Sequence, residues 1–126
     1  MFAFMLTERM REIGFYKLET GKSTVEEFFE SLTNKQFEKI SFVLDLIEQI
    51  DIVPRNYFKK LRGTEDIWEV RVQHGNSIFR ILGFFDGNNL LVLNHAFAKK
   101  SQKTPQKEIA VAEKRKRNYF KQKDKK

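Results

Sequence analysis

"WEVRVQHGNSIFRILGFF", residues 68–85, decides how this chain folds. Apolar and polar residues alternate on both sides of a His-Gly-Asn-Ser break. Period two is the signature of a strand, and Gly and Asn tolerate the positive φ of a two-residue hairpin turn. With Gly75 and Asn76 at the tip, His74 faces Ser77, Val72 faces Phe79 and Arg71 faces Arg80. Alternation then places Trp68, Val70, Val72, Phe79, Ile81 and Phe85 on one face, a floor for helices. Glu69, Arg71, Gln73, Ile78, Arg80 and Leu82 lie on the other. Two guanidinium groups become neighbours there, at a cost of about 0.2–1 kcal/mol for like charges placed opposite each other. Either Glu69 compensates as an ion pair, or a phosphate does, since guanidinium forks match its oxygens.

Towards the C-terminus, "DGNN" supplies a second turn into a third strand, "LLVLNHAF" (90–97). The length of that turn sets His95. A four-residue loop puts it opposite Arg80, and a three-residue loop turns it into the core. Lys99 and Lys100 follow where the strand runs out. Pro105 fits a first helical turn, and 106–121 reads as a helix with Ile109, Ala112 and Tyr119 facing inward.

Towards the N-terminus, "GFYKLE" (14–19) reads as a first strand. Ser23 and Glu26 fit a capping box ahead of Val25, Phe28, Phe29 and Leu32, which share one helical face. Asn34 is the expected cap of a second helix, striped by Phe37, Ile40, Val43, Leu44, Ile47 and Ile50 and closed by Pro54. Residues 56–66 read as a polar connection. The order is β-α-α-β-β-β-α: an α+β fold, an antiparallel sheet with helices on one side. The length, 126 residues, suits a single domain (1–126, core about 11–120) ending in a basic tail, 121–126.

The net charge of +7 is concentrated. Residues 99–126 hold 12 Lys/Arg against 3 Asp/Glu, whereas residues 1–98 hold 12 against 14. That asymmetry points to a polyanionic partner. The chain has no cysteine, which excludes disulfides and thiolate metal sites. No cofactor or metal is expected. No stretch approaches the roughly 20 apolar residues of a membrane span. "MFAFML" is too short for a signal-peptide core and lacks a basic leader, so a soluble, cytoplasmic protein is expected.

The chain also resembles a known family, the RelE/HigB toxins, in their phage-derived branch. Leu61-Arg62-Gly63, Trp68-Glu69-Val70-Arg71, Phe79-Arg80-Ile81 and the ending Phe97-x-Lys99-Lys100-x-x-Lys103-Thr104-Pro105 carry the resemblance, together with "TGKSTVEEFFESL". It spans roughly residues 13–120. It implies a RelE-like fold, with an N-terminal helical hairpin and a C-terminal helix around an antiparallel sheet. It also implies the toxin of a type II toxin–antitoxin pair. Such toxins mostly cleave mRNA, often in the ribosomal A site, and a cognate antitoxin, commonly a helix-turn-helix protein, silences them.

For metal-independent RNA cleavage the 2′-hydroxyl attacks the adjacent phosphate. An enzyme must align the attack, move protons and stabilise charge. Arg71 and Arg80 are the candidates for holding the scissile phosphate on an open, concave face. Lys99 and Lys100 would add charge, and His95 could shuttle a proton. Glu69 could orient Arg71 or act as base. Arg62, Lys103 and Lys107 are further RNA-binding candidates. Trp68 reads as packing and His74, at the hairpin tip, as an exposed turn residue. Lys100 stands where some relatives carry arginine, and no dedicated general base is apparent. The competing readings are a gyrase poison of the same fold, an RNA-binding module without chemistry, and an inactive phage remnant.

Overall fold

The computed structural model of the protein describes residues 9–99 and 103–125. The elements run β1 (Glu12–Phe15), α1 (Thr24–Glu30), α2 (Asn34–Gln49), β2 (Phe58–Lys60), β3 (Trp68–His74), β4 (Ser77–Asp86), β5 (Leu90–Ala98) and α3 (Gln106–Asp124). The architecture is mixed α+β, one five-stranded sheet in the order β1-β5-β4-β3-β2 with three helices.

The central hairpin forms in the expected register, with Arg71 opposite Arg80, Val72 opposite Phe79 and His74 opposite Ser77. Val70, Val72, Phe79, Ile81, Leu91 and Leu93 are the floor on which α1 and α2 lay Val25, Phe29, Ile40, Val43 and Ile47. Burying each such aliphatic or aromatic side chain contributes roughly 1.5–3 kcal/mol. Trp68 and Phe85 pack against this core, and Phe58 stacks on Trp68 with centroids 4.7 Å apart. Trp68 is therefore packing, as its place in the alternation indicates.

Four expectations need correction. The sheet is not wholly antiparallel, because β1 pairs with β5 in parallel. β1 also begins and ends earlier than 14–19. Tyr16 still donates its N–H to Leu93 O, but a tight turn follows, with Leu18 N–H donated to Lys22 O and Gly21 at φ +88°. The stretch read as a polar connection contains β2, which pairs antiparallel with β3. Finally, the helices do not share one side. Leu82, Phe97, Ile67 and Leu61 form a second core with Ile109 and Ala112 of α3, and Phe84 and Val92 pack with Tyr119 and Phe120. The outward face of the hairpin carries enough apolar surface to need its own helix.

The caps explain the helix starts. Ser23 Oγ accepts the Glu26 N–H at 3.2 Å. For α2 the cap is Thr33 rather than Asn34: Thr33 Oγ1 accepts the Gln36 N–H and Gln36 Oε1 accepts the Thr33 N–H, a reciprocal capping box.

Candidate nucleic-acid interface

The basic region is built on the α3 side of the sheet. Asp86 pairs with Leu90 across a three-residue turn, but the register shifts further along, where Gly83 faces Leu93 and Leu82 faces His95. Asn94 is the extra residue of that β-bulge. Its Nδ2 donates to Ala112 O at 2.9 Å, and its own carbonyl accepts from Arg115 Nη1 at 2.8 Å. The bulge reverses the parity of β5. His95 thus lies opposite Leu82 on the α3 side, which matches neither placement expected from turn length. Its Nε2 is 2.9 Å from Glu108 Oε1 in the first turn of α3.

Arg80 does not face an open pocket. Its side chain is 0% exposed and Glu69 is 1% exposed, and Arg80 Nη1 donates to Glu69 Oε2 at 3.3 Å. It also donates to Thr104 Oγ1 at 3.0 Å, and Thr104 in turn donates to Glu69 Oε2. The expected cradle of two open guanidiniums is therefore absent. A buried charge needs a partner and satisfied hydrogen bonds, and the expected alternative, neutralisation by Glu69, is what Arg80 adopts. Glu69 accordingly serves Arg80.

Cations border this buried triad. Arg71 is half-buried beside Arg80 and continues the ladder by donating its N–H to Tyr57 O at 2.9 Å. Lys59 stands opposite Glu69 in the β2–β3 pairing, so both lie on the α3 side. Lys99 is exposed and donates its backbone N–H to Ile78 O at 3.0 Å. Lys103, exposed, precedes Thr104, and Lys107 is exposed at the start of α3. Lys100 lies outside the described residues. His74 is not the exposed turn residue expected: it is the half-buried last residue of β3, opposite Ser77.

Arg62 lies further out, where Arg55, Lys59, Lys60 and Arg62 line a concavity of about 630 Å³ with Asp66. Lys60 Nζ is 2.8 Å from Asp66 Oδ1. That hydrogen bond and charge, together with the Lys116 ammonium, hold the Asp66 carboxyl below its ordinary pKa. The pocket stays net cationic at any pH where Asp66 is ionised. Its loop is fixed by Thr64, whose Oγ1 donates to Leu61 O at 2.8 Å and accepts the Ile67 N–H at 3.1 Å.

The sequence reading missed Arg55, Lys59, Lys60, Thr104 and Glu108. For Lys59 a signal existed: it follows Phe58, so one alternation step separates a core residue from a cation. Glu108 had one too, as an acidic group in a helical first turn started by Pro105. Thr104 was marked only by its place in the Lys103-Thr104-Pro105 ending; its role depends on a contact 35 residues away in sequence with Glu69.

The fold and this face define an α+β domain with a cationic surface arranged around a buried ion pair. A family model described as "Phage derived protein Gp49-like (DUF891)" matches residues 27–117, and the chain belongs to that family. The family is RelE/toxin-like, and membership points to the toxin of a toxin–antitoxin pair, with an antitoxin as partner. No curated protein matches the chain. Among the described residues no helix is long and apolar enough to cross a membrane.

Proposed function

We propose that the protein is a RelE/HigB-type toxin that cleaves mRNA without a metal ion, in the cytoplasm and on the ribosome, and so stops translation until a helix-turn-helix antitoxin covers it. The observation that carries this reading is that Lys59 and Arg71 stand directly opposite Glu69 and Arg80, on the same side of the sheet as the buried triad, with the exposed Lys103 next to Thr104 in the chain. Arg71 supplies the guanidinium fork for the scissile phosphate. Lys59, Lys99 and Lys103 stabilise the charge that grows on it, and Arg62 and Lys107 hold flanking phosphates. The 2′-oxygen bonds to phosphorus and the P–O5′ bond breaks, leaving a 2′,3′-cyclic phosphate and a 5′-hydroxyl. His95 is the proton carrier. Glu108 engages Nε2, which leaves Nδ1 as the nitrogen for the reacting oxygens.

Induction of the wild-type protein should arrest growth and truncate transcripts with those end groups, and purified ribosome complexes should be cut in the presence of EDTA. A second reading, a toxin that binds nucleic acid without cutting it, is favoured by the burial of Arg80, which removes one expected phosphate ligand. Arrest with intact transcripts selects it, and arrest with broken DNA selects the gyrase-poison form.

A further inference from the structure

The Glu69–Arg80–Thr104 triad is unusual for the place it occupies. Leu82 and Phe97 flank Arg80 by register and belong to the apolar core under α3. Burying an ion pair there contributes little net stability compared with apolar residues of similar volume. Its geometry, however, is specific. Thr104 is 7% exposed, and its single hydroxyl accepts from Arg80 and donates to the same Glu69 oxygen that Arg80 engages. One side chain from the segment leading into α3 is thus locked to two strands at once. Thr104 is flanked by Lys103, an exposed cation, and by Pro105, whose carbonyl accepts the N–H groups of Glu108 and Ile109. Glu108 is the residue that holds His95.

We propose that Thr104, Glu69 and Arg80 act as positioning residues: a buried clamp that sets Lys103 and the Glu108–His95 pair against Arg71. Arg80 then acts through Thr104 and touches no RNA. This rests on the RNA-cleavage reading above and specifies how that site is held in place. The reacting groups are on a strand, a connecting segment and a helix, and groups on connections need a rigid support to keep catalytic geometry. A Thr hydroxyl both accepts and donates, so it can bridge a guanidinium and a carboxylate. Valine has the same shape and can do neither.

The test compares Thr104→Val with Thr104→Ser and with a core variant of α2, Ile47→Val or Ile47→Ala, chosen to match the melting temperature of Thr104→Val. Ile47 is fully buried on the opposite side of the sheet. Cleavage of ribosome-bound mRNA by Thr104→Val should fall about tenfold in kcat/KM, with Thr104→Ser and the matched control within about twofold of wild type. A second readout does not involve RNA. Amide exchange at Lys99 and Ile109 should rise about tenfold in Thr104→Val over the matched control. If Thr104→Val does not fold, the wild-type protein decides: clamped, those two amides are protected to within about tenfold of Ile81. Full cleavage by Thr104→Val, equal loss in the matched control, or unchanged amide exchange overturns the clamp. If the wild type cuts no RNA, the cleavage reading falls, and amide exchange alone judges the clamp.

Discussion

Arg71 and Arg80 are direct partners across the β3–β4 hairpin, yet only Arg71 retains access to solvent. The cause is topological. β4 is flanked by β3 and β5 and covered by α3, so a side chain on that face is enclosed. β3 is flanked by the three-residue β2, whose last pair is Phe58 with Val70, and Arg71 lies just past it. The charge opposition expected from the sequence is relieved because Glu69, one turn of the pleat away, neutralises the enclosed member.

That relation gives a stability prediction. Arg80→Met or Glu69→Leu alone leaves a buried charge uncompensated and should cost about 3–5 kcal/mol, whereas the double variant should lie within about 2 kcal/mol of wild type. Urea denaturation of the four proteins at neutral pH measures the coupling. Additive losses would mean that the two groups do not act as a pair.

For RNA, the half-buried and the enclosed arginine should behave differently. Arg71→Ala and Lys59→Ala should each weaken binding of single-stranded RNA, and each should reduce the slope of log affinity against log salt by about 0.7, one released phosphate contact. Lys59 is on a short edge strand, so its loss should leave the melting temperature nearly unchanged. Filter binding between 50 and 200 mM salt, roughly the range over which such contacts are lost, checks both. An unchanged slope in Arg71→Ala would remove Arg71 from the interface.

Much of this was legible in the chain itself. The Gly75–Asn76 turn and strict alternation determined the hairpin register and the two faces, because turn chemistry and period two are local properties. The partition of Phe28, Phe29, Ile40, Val43 and Ile47 onto helical faces was equally local. What escaped were features decided by distant contacts. The three residues of β2 carry two lysines, and the single alternation step from Phe58 to Lys59 is too short to mark a strand. The bulge at Asn94 depends on α3 and Arg115, so turn length alone could not place His95. The burial of Arg80 depends on a helix whose weakly apolar face, Ile109 and Ala112, gave no sign of which side of the sheet it would cover.

The C-terminal helix should give the protein a pH signature at both extremes. Tyr119 donates its hydroxyl to Asp86 Oδ2 at 2.7 Å, and Lys123 Nζ lies 2.8 Å from the same carboxylate. The Lys123 hydrogen bond, then that of Tyr119, holds the Asp86 carboxyl below its ordinary pKa. A depressed folded-state pKa contributes stability that is complete above the unfolded value of about 4 and is lost as pH falls through the folded one. Burial first, then the hydrogen bond to Asp86, pushes the Tyr119 phenol up to about 12. Its contribution is complete below an unfolded pKa of about 10 and is lost as pH rises through the folded value. Asp86→Asn should flatten the acid side of the stability profile and lower the tyrosinate midpoint seen in near-ultraviolet absorbance. An unshifted midpoint would show that the Tyr119–Asp86 bond is not formed in solution.

Gly83 should be the position where a single methyl group does most harm. It adjoins the register shift between β4 and β5, and a Cβ built on it would collide with the carbonyl oxygen of Val92 and crowd Leu93 Cα at 3.1 Å. Both obstacles are backbone, so neither can rotate away, and the two strands must move apart at the bulge that turns His95 towards Glu108. Gly83→Ala is therefore expected to cost at least about 2–3 kcal/mol in urea denaturation, at the upper end of what overpacking does. Gly14→Ala is the internal contrast. Its added Cβ would meet only Leu90 Cδ1 at 3.4 Å, an ordinary contact with the end of a flexible side chain. It should be neutral or stabilise by up to about 1 kcal/mol through the unfolded chain. If both alanines were tolerated alike, the close approach at Gly83 would have to be relieved by a different bulge, and His95 would no longer be committed to the α3 side.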